Sequence, residues 1–265
     1  MSRKRFSTAA GLSLLALVLL GPVSGRAQDV ESGPRIKLGL GLEYFSRTLA
    51  WDSGTRSSVL TAALGCLRLE YEIQKGFTLA AFLGYGFSNF NGLVFRGLPF
   101  SLDYEAGAGG GFLGGVEAEK SLFSAGDFEI GIQAQYVLSL GGTKSLTIDE
   151  LNQAGTAGGQ ATWMRVQAGP MIRYLGYQDL TPYLTITYNR LWGTYTMNET
   201  VLELVGTEEK KIASAGNFGA AFGILYEPFP NFSLKGEVAA VPYSKIAATG
   251  LGFDFGGSLK ATLSF

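Results

Sequence analysis

The sequence contains no histidine and a single cysteine, Cys66, among its 265 residues. A lone cysteine can form no intramolecular disulfide, and we expect Cys66 to be a small side chain within a strand. Histidine is the side chain that most often transfers protons near neutral pH, and it is also a frequent metal ligand. Its absence favours a protein without a catalytic, cofactor or metal site.

The chain also lacks an excess of positive charge. It carries 21 Lys and Arg against 22 Asp and Glu, and no basic stripe occurs along it. This balance argues against a nucleic-acid partner. What the chain has in quantity is glycine, with 38 residues and no collagen repeat, together with 12% aromatic residues. That mixture is typical of a protein with many strands and turns.

The N-terminal residues have the pattern of a secretory signal peptide. A basic start at 3–5 is followed by an apolar run at 9–20 and by a plausible cleavage site after Ala27. The alternative is an uncleaved anchor helix, for which the apolar run is short. We therefore expect residues 1–27 to be removed and residues 28–265 to form a single domain.

The last stretch of the chain alternates strictly between apolar and polar or small side chains. Since successive side chains of a strand point to opposite faces, one face of this strand is apolar. Its apolar members are Leu251, Phe253, Phe255, Leu259, Ala261, Leu263 and Phe265. A tilted strand needs only about 9–11 residues to cross a membrane, so this stretch is long enough.

The same alternation recurs along the chain and predicts ten strands. Four short turns, at 74–76, 120–126, 176–181 and 228–231, alternate with longer connections. Outer-membrane barrels have short periplasmic turns and long external loops, so four inner turns with both termini inside give ten strands, with 8 or 12 as alternatives. The predicted strands are 36–44, 59–73, 77–87, 98–118, 128–140, 163–174, 183–192, 218–226, 232–240 and 251–265.

The predicted fold class is all-β, a transmembrane antiparallel up-and-down β-barrel. Lipid cannot satisfy the backbone groups of an open sheet edge, so the strands must close on themselves. The apolar set is too large for a barrel interior, and aromatic residues near strand ends suit interfacial girdles. These aromatic residues are Tyr44, Tyr71, Phe77, Tyr136, Tyr174, Tyr188, Trp192 and Tyr226. The alternative is a soluble sandwich or a lipocalin-like barrel.

Ionic side chains fall on the opposite, inward face of the strands, and we take them as candidates that line the lumen. These are Lys37, Arg68, Glu70, Glu117, Glu119, Glu129, Arg165, Arg173, Lys235, Glu237, Asp254 and Lys260. Two interpretations stay open: a salt-bridged network that fills the lumen, or a permeation path. The segment Gly109–Gly114 matches G-x-G-x-x-G but opens no helix, so it predicts no dinucleotide site.

From Arg35 to Phe265 the chain resembles small bacterial outer-membrane β-barrels of the OmpA and OmpW general type. The resemblance lies in the signal peptide, the alternating strands and the terminal Phe265. It implies a location in the bacterial outer membrane. It also implies insertion by the barrel assembly machinery, with Phe265 and the last strand as the assembly signal. Barrel enzymes such as omptin proteases, phospholipase A and lipid A acyltransferases and deacylases use histidine, so no catalytic residue carries over.

The sequence therefore leads to a non-enzymatic barrel without cofactors. The first functional hypothesis is a structural or porin-like small-solute channel with a charged lumen. The alternative is a surface-exposed binding or adhesion protein that acts through its extracellular loops, chiefly 89–108, 141–160 and 194–214. Expected partners are outer-membrane lipids, the assembly machinery, and small solutes or surface ligands.

Overall fold

The computed structural model describes residues 35–51, 54, 56–98, 104–147, 155–201, 203–244 and 250–265. The predicted signal peptide and a short helical turn expected at 148–154 lie outside the described residues. Within that part of the chain, no helix is long and apolar enough to cross a membrane. The strands are β1 (Arg35–Trp51), β2 (Arg56–Gln74), β3 (Phe77–Phe95), β4 (Tyr104–Ala125), β5 (Phe128–Gly141), β6 (Lys144–Thr147), β7 (Gly155–Tyr174), β8 (Leu180–Val201), β9 (Leu204–Ser214), β10 (Phe218–Phe229), β11 (Phe232–Ser244) and β12 (Leu251–Ser264).

Ten of these strands form one closed antiparallel ring. The pairings run β1–β2–β3–β4–β5–β7–β8–β10–β11–β12 and return to β1 through the register from Lys37–Ser264 to Phe45–Gly256. Each predicted strand corresponds to one member of the ring. The predicted up-and-down barrel is therefore confirmed. We call the end that carries Arg35, Phe265 and the short turns the lower end.

The remaining long strand, β9, closes a second and smaller circuit at the upper end. It pairs with the upper part of β8 and then with β1, where Leu49 faces Ser214 and Ala50 faces Ala213. The upper circuit is thus β1–β2–β3–β4–β5–β7–β8–β9, eight strands instead of ten. Because barrel diameter grows with strand number, the upper ring is the narrower one. Strand β6 extends the line of β5 and pairs with β7.

The strands reach farther than the sequence predicts. β1 runs to Trp51, β3 to Phe95 and β8 to Val201, into the segments 46–58, 89–97 and 194–214 that lie between the predicted strands. The predicted turn at 120–126 is also wrong, because β4 continues to its last residue, Ala125. Above the membrane a strand faces water on its outer side, so the polar side chains that indicate a loop are compatible with a strand.

The outer surface of the lower ring is apolar. Leu83 and Phe112 are each 73% exposed, and large aliphatic and aromatic side chains are exposed on neighbouring strands. A continuous exposed apolar surface of this size is typical of a membrane-facing protein. One predicted member of the aromatic girdle is misplaced, since Phe77 is 7% exposed. Phe77 pairs with the buried Lys120 on β4, and its ring lies 5.7 Å from the Lys120 ammonium.

The interior of the upper ring is filled by apolar side chains. They come from the strands of the eight-strand circuit and from the β3–β4 connection, where Leu98 is buried. An eight-strand barrel has an interior just wide enough to be filled by side chains. The core comprises Phe45, Leu49, Trp51, Leu60, Ala62, Leu64, Phe82, Phe90, Leu93, Phe95, Leu98, Ala106, Leu113, Val137, Ala157, Ala161, Trp163, Leu191, Tyr195, Met197, Val201 and Ile212.

Candidate functional site

The lower, ten-strand ring encloses space that its side chains do not fill. Two adjoining cavities of about 80 and 100 Å³ lie within it, and Arg68, Glu117 and Lys260 line both. The first is also lined by Arg165, Glu237 and Asp254, and the second by Lys37, Glu70, Glu119, Arg173 and Lys235. The last predicted lumen residue, Glu129, bonds to Arg173 at 2.6 Å. Eleven of the predicted lumen residues thus line this space, which we call the lower chamber, and Glu129 lies beside it.

Glu117 is the centre of the ionic network between the two cavities. Arg68 donates two hydrogen bonds to its carboxylate, at 3.1 and 2.8 Å, and Lys260 donates one at 2.7 Å. Arg68 also donates to Glu70 at 2.5 Å. Glu117 and Arg68 are both buried. A buried carboxylate needs such compensation, because an unpaired charge away from water is costly.

A second cluster lies nearer the lower end. The carboxylate of Glu119 accepts from Arg173, and the Lys235 ammonium donates to its other oxygen at 2.8 Å. Close by, the Tyr183 hydroxyl donates to Glu237 at 3.1 Å. Opposite charges therefore alternate around the inner wall of the chamber.

A third cluster joins the network to the apolar core above it. Arg165 donates to both oxygens of Glu43, at 2.5 and 2.9 Å, and its guanidinium carbon lies 4.9 Å from the centre of the Phe45 ring. It also donates to the side-chain oxygen of Gln135 at 2.8 Å, while the Gln135 nitrogen donates to Glu117 at 3.1 Å. The side-chain amide of Gln135 thus links the Arg165–Glu43 pair to the Glu117 cluster, with its oxygen toward Arg165 and its nitrogen toward Glu117.

Sequence reasoning missed some members of this chamber. Glu43 and Gln135 stand at inward positions of the alternation, so the sequence places both inside the barrel, although the candidate set omits them. Arg47 was missed because it falls in a segment predicted as a loop. It is buried, and it donates to the carbonyl oxygens of Asn189 and Gly216 at 3.1 and 2.8 Å. Among the described residues, no cluster of His, Cys, Asp and Glu could hold a metal ion.

A separate polar contact lies at the upper end of the eight-strand ring. Glu208 on β9 accepts from the backbone amides of Arg96 and Gly97 at 3.0 and 2.8 Å and pairs with Lys210 at 2.9 Å. The Lys210 ammonium lies 4.8 Å from the centre of the Trp51 ring. Burial alone would raise the pKa of Glu208, but hydrogen bonds from Lys210 and the two amides, with the Lys210 charge, lower it below its usual range. The contact ties β9 to the β3–β4 connection.

The chain folds as a small outer-membrane-type β-barrel. No family model matches its sequence. No curated protein matches it either. Solved structures with a similar arrangement include the outer membrane protease OmpT from Escherichia coli, with 14% identity, a TM-score of 0.47, and coverage of 91% of this chain and 99% of that chain.

Two further structures have a comparable likeness. The translocator domain of autotransporter NalP from Neisseria meningitidis has 13% identity and a TM-score of 0.48, with 97% of each chain covered. The COG4313 outer membrane channel from Pseudomonas putida F1 has 13% identity and a TM-score of 0.41, with 93% of this chain and all of that chain, 100%, covered. Likeness at this level says nothing of a shared activity.

Proposed function

We propose that the protein is a non-enzymatic integral barrel of the bacterial outer membrane, that small polar solutes enter its lower chamber, and that the upper apolar core controls their passage. The short turns of such barrels face the periplasm. In this orientation the lower chamber lies at the periplasmic end of the barrel, and the eight-strand ring lies toward the cell exterior.

The observation that carries this proposal is the change in strand number along the barrel. The ten-strand ring retains cavities lined by cations and carboxylates, whereas the interior of the eight-strand ring is filled by side chains such as Trp163 and Leu191, both fully buried. A solute that enters from the periplasm would meet charged groups first and a packed apolar segment second. The proposed channel is therefore closed by its upper core, in contrast to an open porin.

The ion pairs of the lower chamber support the proposal that the protein is not an enzyme. The carboxylates at the centre of the chamber are held by Arg and Lys donors. A general acid or base needs a proton that can move at working pH, and carboxylates fixed by permanent cations do not provide one. The chain also has no histidine, the side chain that most often takes that role.

Conductance in planar lipid bilayers tests the proposal. The wild-type barrel should give little steady current, and Trp163→Ala, which removes the largest fully buried side chain of the upper core, should raise it at least several-fold. The matched control is Leu67→Ala, on the lipid-facing side, which should leave the current unchanged. A large steady current through the wild type would contradict the upper seal, and an unchanged current in Trp163→Ala would contradict the path.

The charged lining makes a second measurement possible. In the Trp163→Ala background, Glu117→Gln removes one negative charge from the wall shared by the two cavities. The current should become less cation-selective, read as a shift of the reversal potential in a salt gradient. An unchanged reversal potential would show that ions do not pass Glu117.

A surface-binding role is the second candidate, and one feature favours it. The hairpin of β8 and β9 stands above the ten-strand ring, and Leu204 and Val205 at its tip are 58% and 69% exposed. Solvent-exposed apolar side chains at a projecting tip suit contact with another macromolecule. Bacteria that display the Leu204→Ser/Val205→Ser protein should then adhere less to an epithelial monolayer than bacteria that display the wild type, at equal surface expression. Equal adherence would contradict this role.

A further inference from the structure

The inner wall of the barrel from β11 to β1 carries three lysines. Lys235 on β11 and Lys260 on β12 are directly opposite each other in the strand ladder, and Lys37 follows on β1 nearer the lower end. All three line the second cavity of the lower chamber, the one of about 100 Å³. Like charges directly opposite each other in a sheet are destabilising, so this wall gathers positive charge at a cost in stability.

Two of these lysines have donors left for a further partner. Lys260 donates to Glu117 at 2.7 Å, and Lys235 donates to Glu119 at 2.8 Å. Among the described residues each ammonium makes only this one hydrogen bond, whereas an ammonium has three donors. The two lysine side chains are 18% and 17% exposed. Both ammonium groups can therefore donate to another acceptor in the cavity.

The third lysine, Lys37, has no ion-pair or hydrogen-bond partner in the part of the chain that the structure describes. Its cross-strand neighbour on β2 is Glu70, but that carboxylate accepts from Arg68 at 2.5 Å. The next inward residue of β1 is Gly39, which leaves the wall beside Lys37 without a side chain, and a Cβ there would collide with Thr262 on β12. Lys37 therefore brings to the cavity a positive charge that no carboxylate holds.

A pair of hydroxyl groups adds one more donor to this wall. Ser233 and Thr262 both line the same cavity, and their hydroxyl oxygens lie 2.5 Å apart. One hydroxyl donates to the other, so the accepting hydroxyl keeps its own proton for a further acceptor. Ammonium groups and hydroxyls are ordinary donors to phosphate oxygens.

The arrangement of these donors favours a tetrahedral ion. The donors come from three adjacent strands, so they approach the cavity from several directions. A phosphate-type oxyanion has acceptor oxygens on all sides, whereas a carboxylate has them on one side only. The cavity is large enough for a few water molecules or for one such ion.

We propose that Lys37, Lys235 and Lys260 form a binding site for a small phosphate-type oxyanion at the periplasmic end of the lumen, assisted by the Ser233–Thr262 hydroxyl pair. This inference names the class of polar solute that enters the lower chamber, and so it rests on the proposed function. The bound ion supplies the partner that Lys37 lacks and offsets the repulsion between the two opposed lysines.

Isothermal titration calorimetry with inorganic phosphate tests the site, on the refolded barrel in detergent micelles at low ionic strength. The wild type should bind phosphate. Lys37→Met, which keeps the length of the side chain but removes its charge, should bind it about tenfold more weakly, because a hydrogen bond to a charged group is lost. The matched control is Lys75→Met, at an exposed lysine of the β2–β3 turn that lines neither cavity, and it should change the affinity less than about twofold.

Further measurements separate the site from misfolding and from general charge effects. Heat-modifiable gel migration checks that each variant is folded, and Lys37→Arg, which keeps the charge, should retain most of the affinity. The proposal would be overturned by a wild type that binds no phosphate, by equal affinity in Lys37→Met, or by an equal loss in Lys75→Met. Acetate that binds as tightly as phosphate would overturn the assignment to a tetrahedral ion.

These outcomes can be told apart from a failure of the proposed channel, because the titration needs no current. A barrel that binds phosphate through Lys37 but gives no current in Trp163→Ala contradicts only the channel. A barrel that conducts in Trp163→Ala but binds no phosphate contradicts only the oxyanion site.

Discussion

Replacement of Glu117 by glutamine should destabilise the barrel, because Glu117 is the shared acceptor of the ionic network. The change removes the counter-charge of Lys260, which donates to Glu117 at 2.7 Å, and one of two carboxylate partners of Arg68. Removal of one partner from a buried ion pair costs about 3–5 kcal/mol. Arg68 keeps its 2.5 Å bond to Glu70, and the glutamine oxygen can still accept one hydrogen bond. We therefore expect a loss of about 3 kcal/mol in the free energy of unfolding, the low end of that range.

Urea unfolding in lipid vesicles, followed by tryptophan fluorescence, measures this loss. The matched control is Glu72→Gln, a part-exposed carboxylate near the lower rim, which should change stability by less than about 0.5 kcal/mol. Equal stability of Glu117→Gln and wild type would refute the reasoning, since it would mean that the chamber is hydrated well enough for each cation to lose its partner without cost.

Further predictions concern the close approach of two strands at Gly84, the Glu208 contact at the upper end, and the terminal Phe265. Gly84→Ala should prevent or strongly reduce folding, because a Cβ there would clash with the backbone oxygen of Gly65. Gly65→Ala, whose Cβ would have its nearest contact at 3.7 Å, should fold normally as judged by gel migration. Glu208 has a lowered pKa, so the stability it contributes is present above the unfolded-state pKa of about 4.3 and is lost as the pH falls through the folded-state value. Hydrogen exchange at the Gly97 amide, corrected for intrinsic rates, should therefore speed up on acidification, and an unchanged rate would contradict the contact. If Phe265 is the assembly signal, Phe265→Ala should lower the folded fraction in cells but leave the stability of the refolded barrel nearly unchanged.

The lower ring could be predicted from the sequence because the membrane enforces a simple rule. Lipid requires apolar side chains on the outer face, and the hollow accepts ionic ones, so a strand such as β5 alternates clearly and its predicted range, 128–140, agrees with Phe128–Gly141. The same rule predicts that the ionic side chains face inward. It could not identify their partners, since the bridge that Gln135 makes between Arg165 and Glu117 joins residues far apart in the sequence.

The upper ring could not be predicted from the sequence because the rule reverses there. Outside the membrane the apolar side chains turn inward and polar ones face water, so β9 was interpreted as part of a polar loop although Ile212 belongs to the core. Phe77 is the first residue of β3 and is buried opposite Lys120 on β4, a contact that the alternation of a single strand does not reveal.

Disulfide trapping tests the central claim, the eight-strand ring above the ten-strand ring, most directly. In a Cys66→Ser background, Ala50→Cys can be paired with Ala213→Cys, its neighbour on β9, or with Leu251→Cys, which it would face if the register between β1 and β12 continued upward. Facing residues of antiparallel strands have Cα atoms about 4.5–5.5 Å apart, within reach of a disulfide. We expect the Ala50–Ala213 pair to cross-link on oxidation and the Ala50–Leu251 pair to stay reduced. The opposite result would show that the ten-strand ring continues to the top of the barrel.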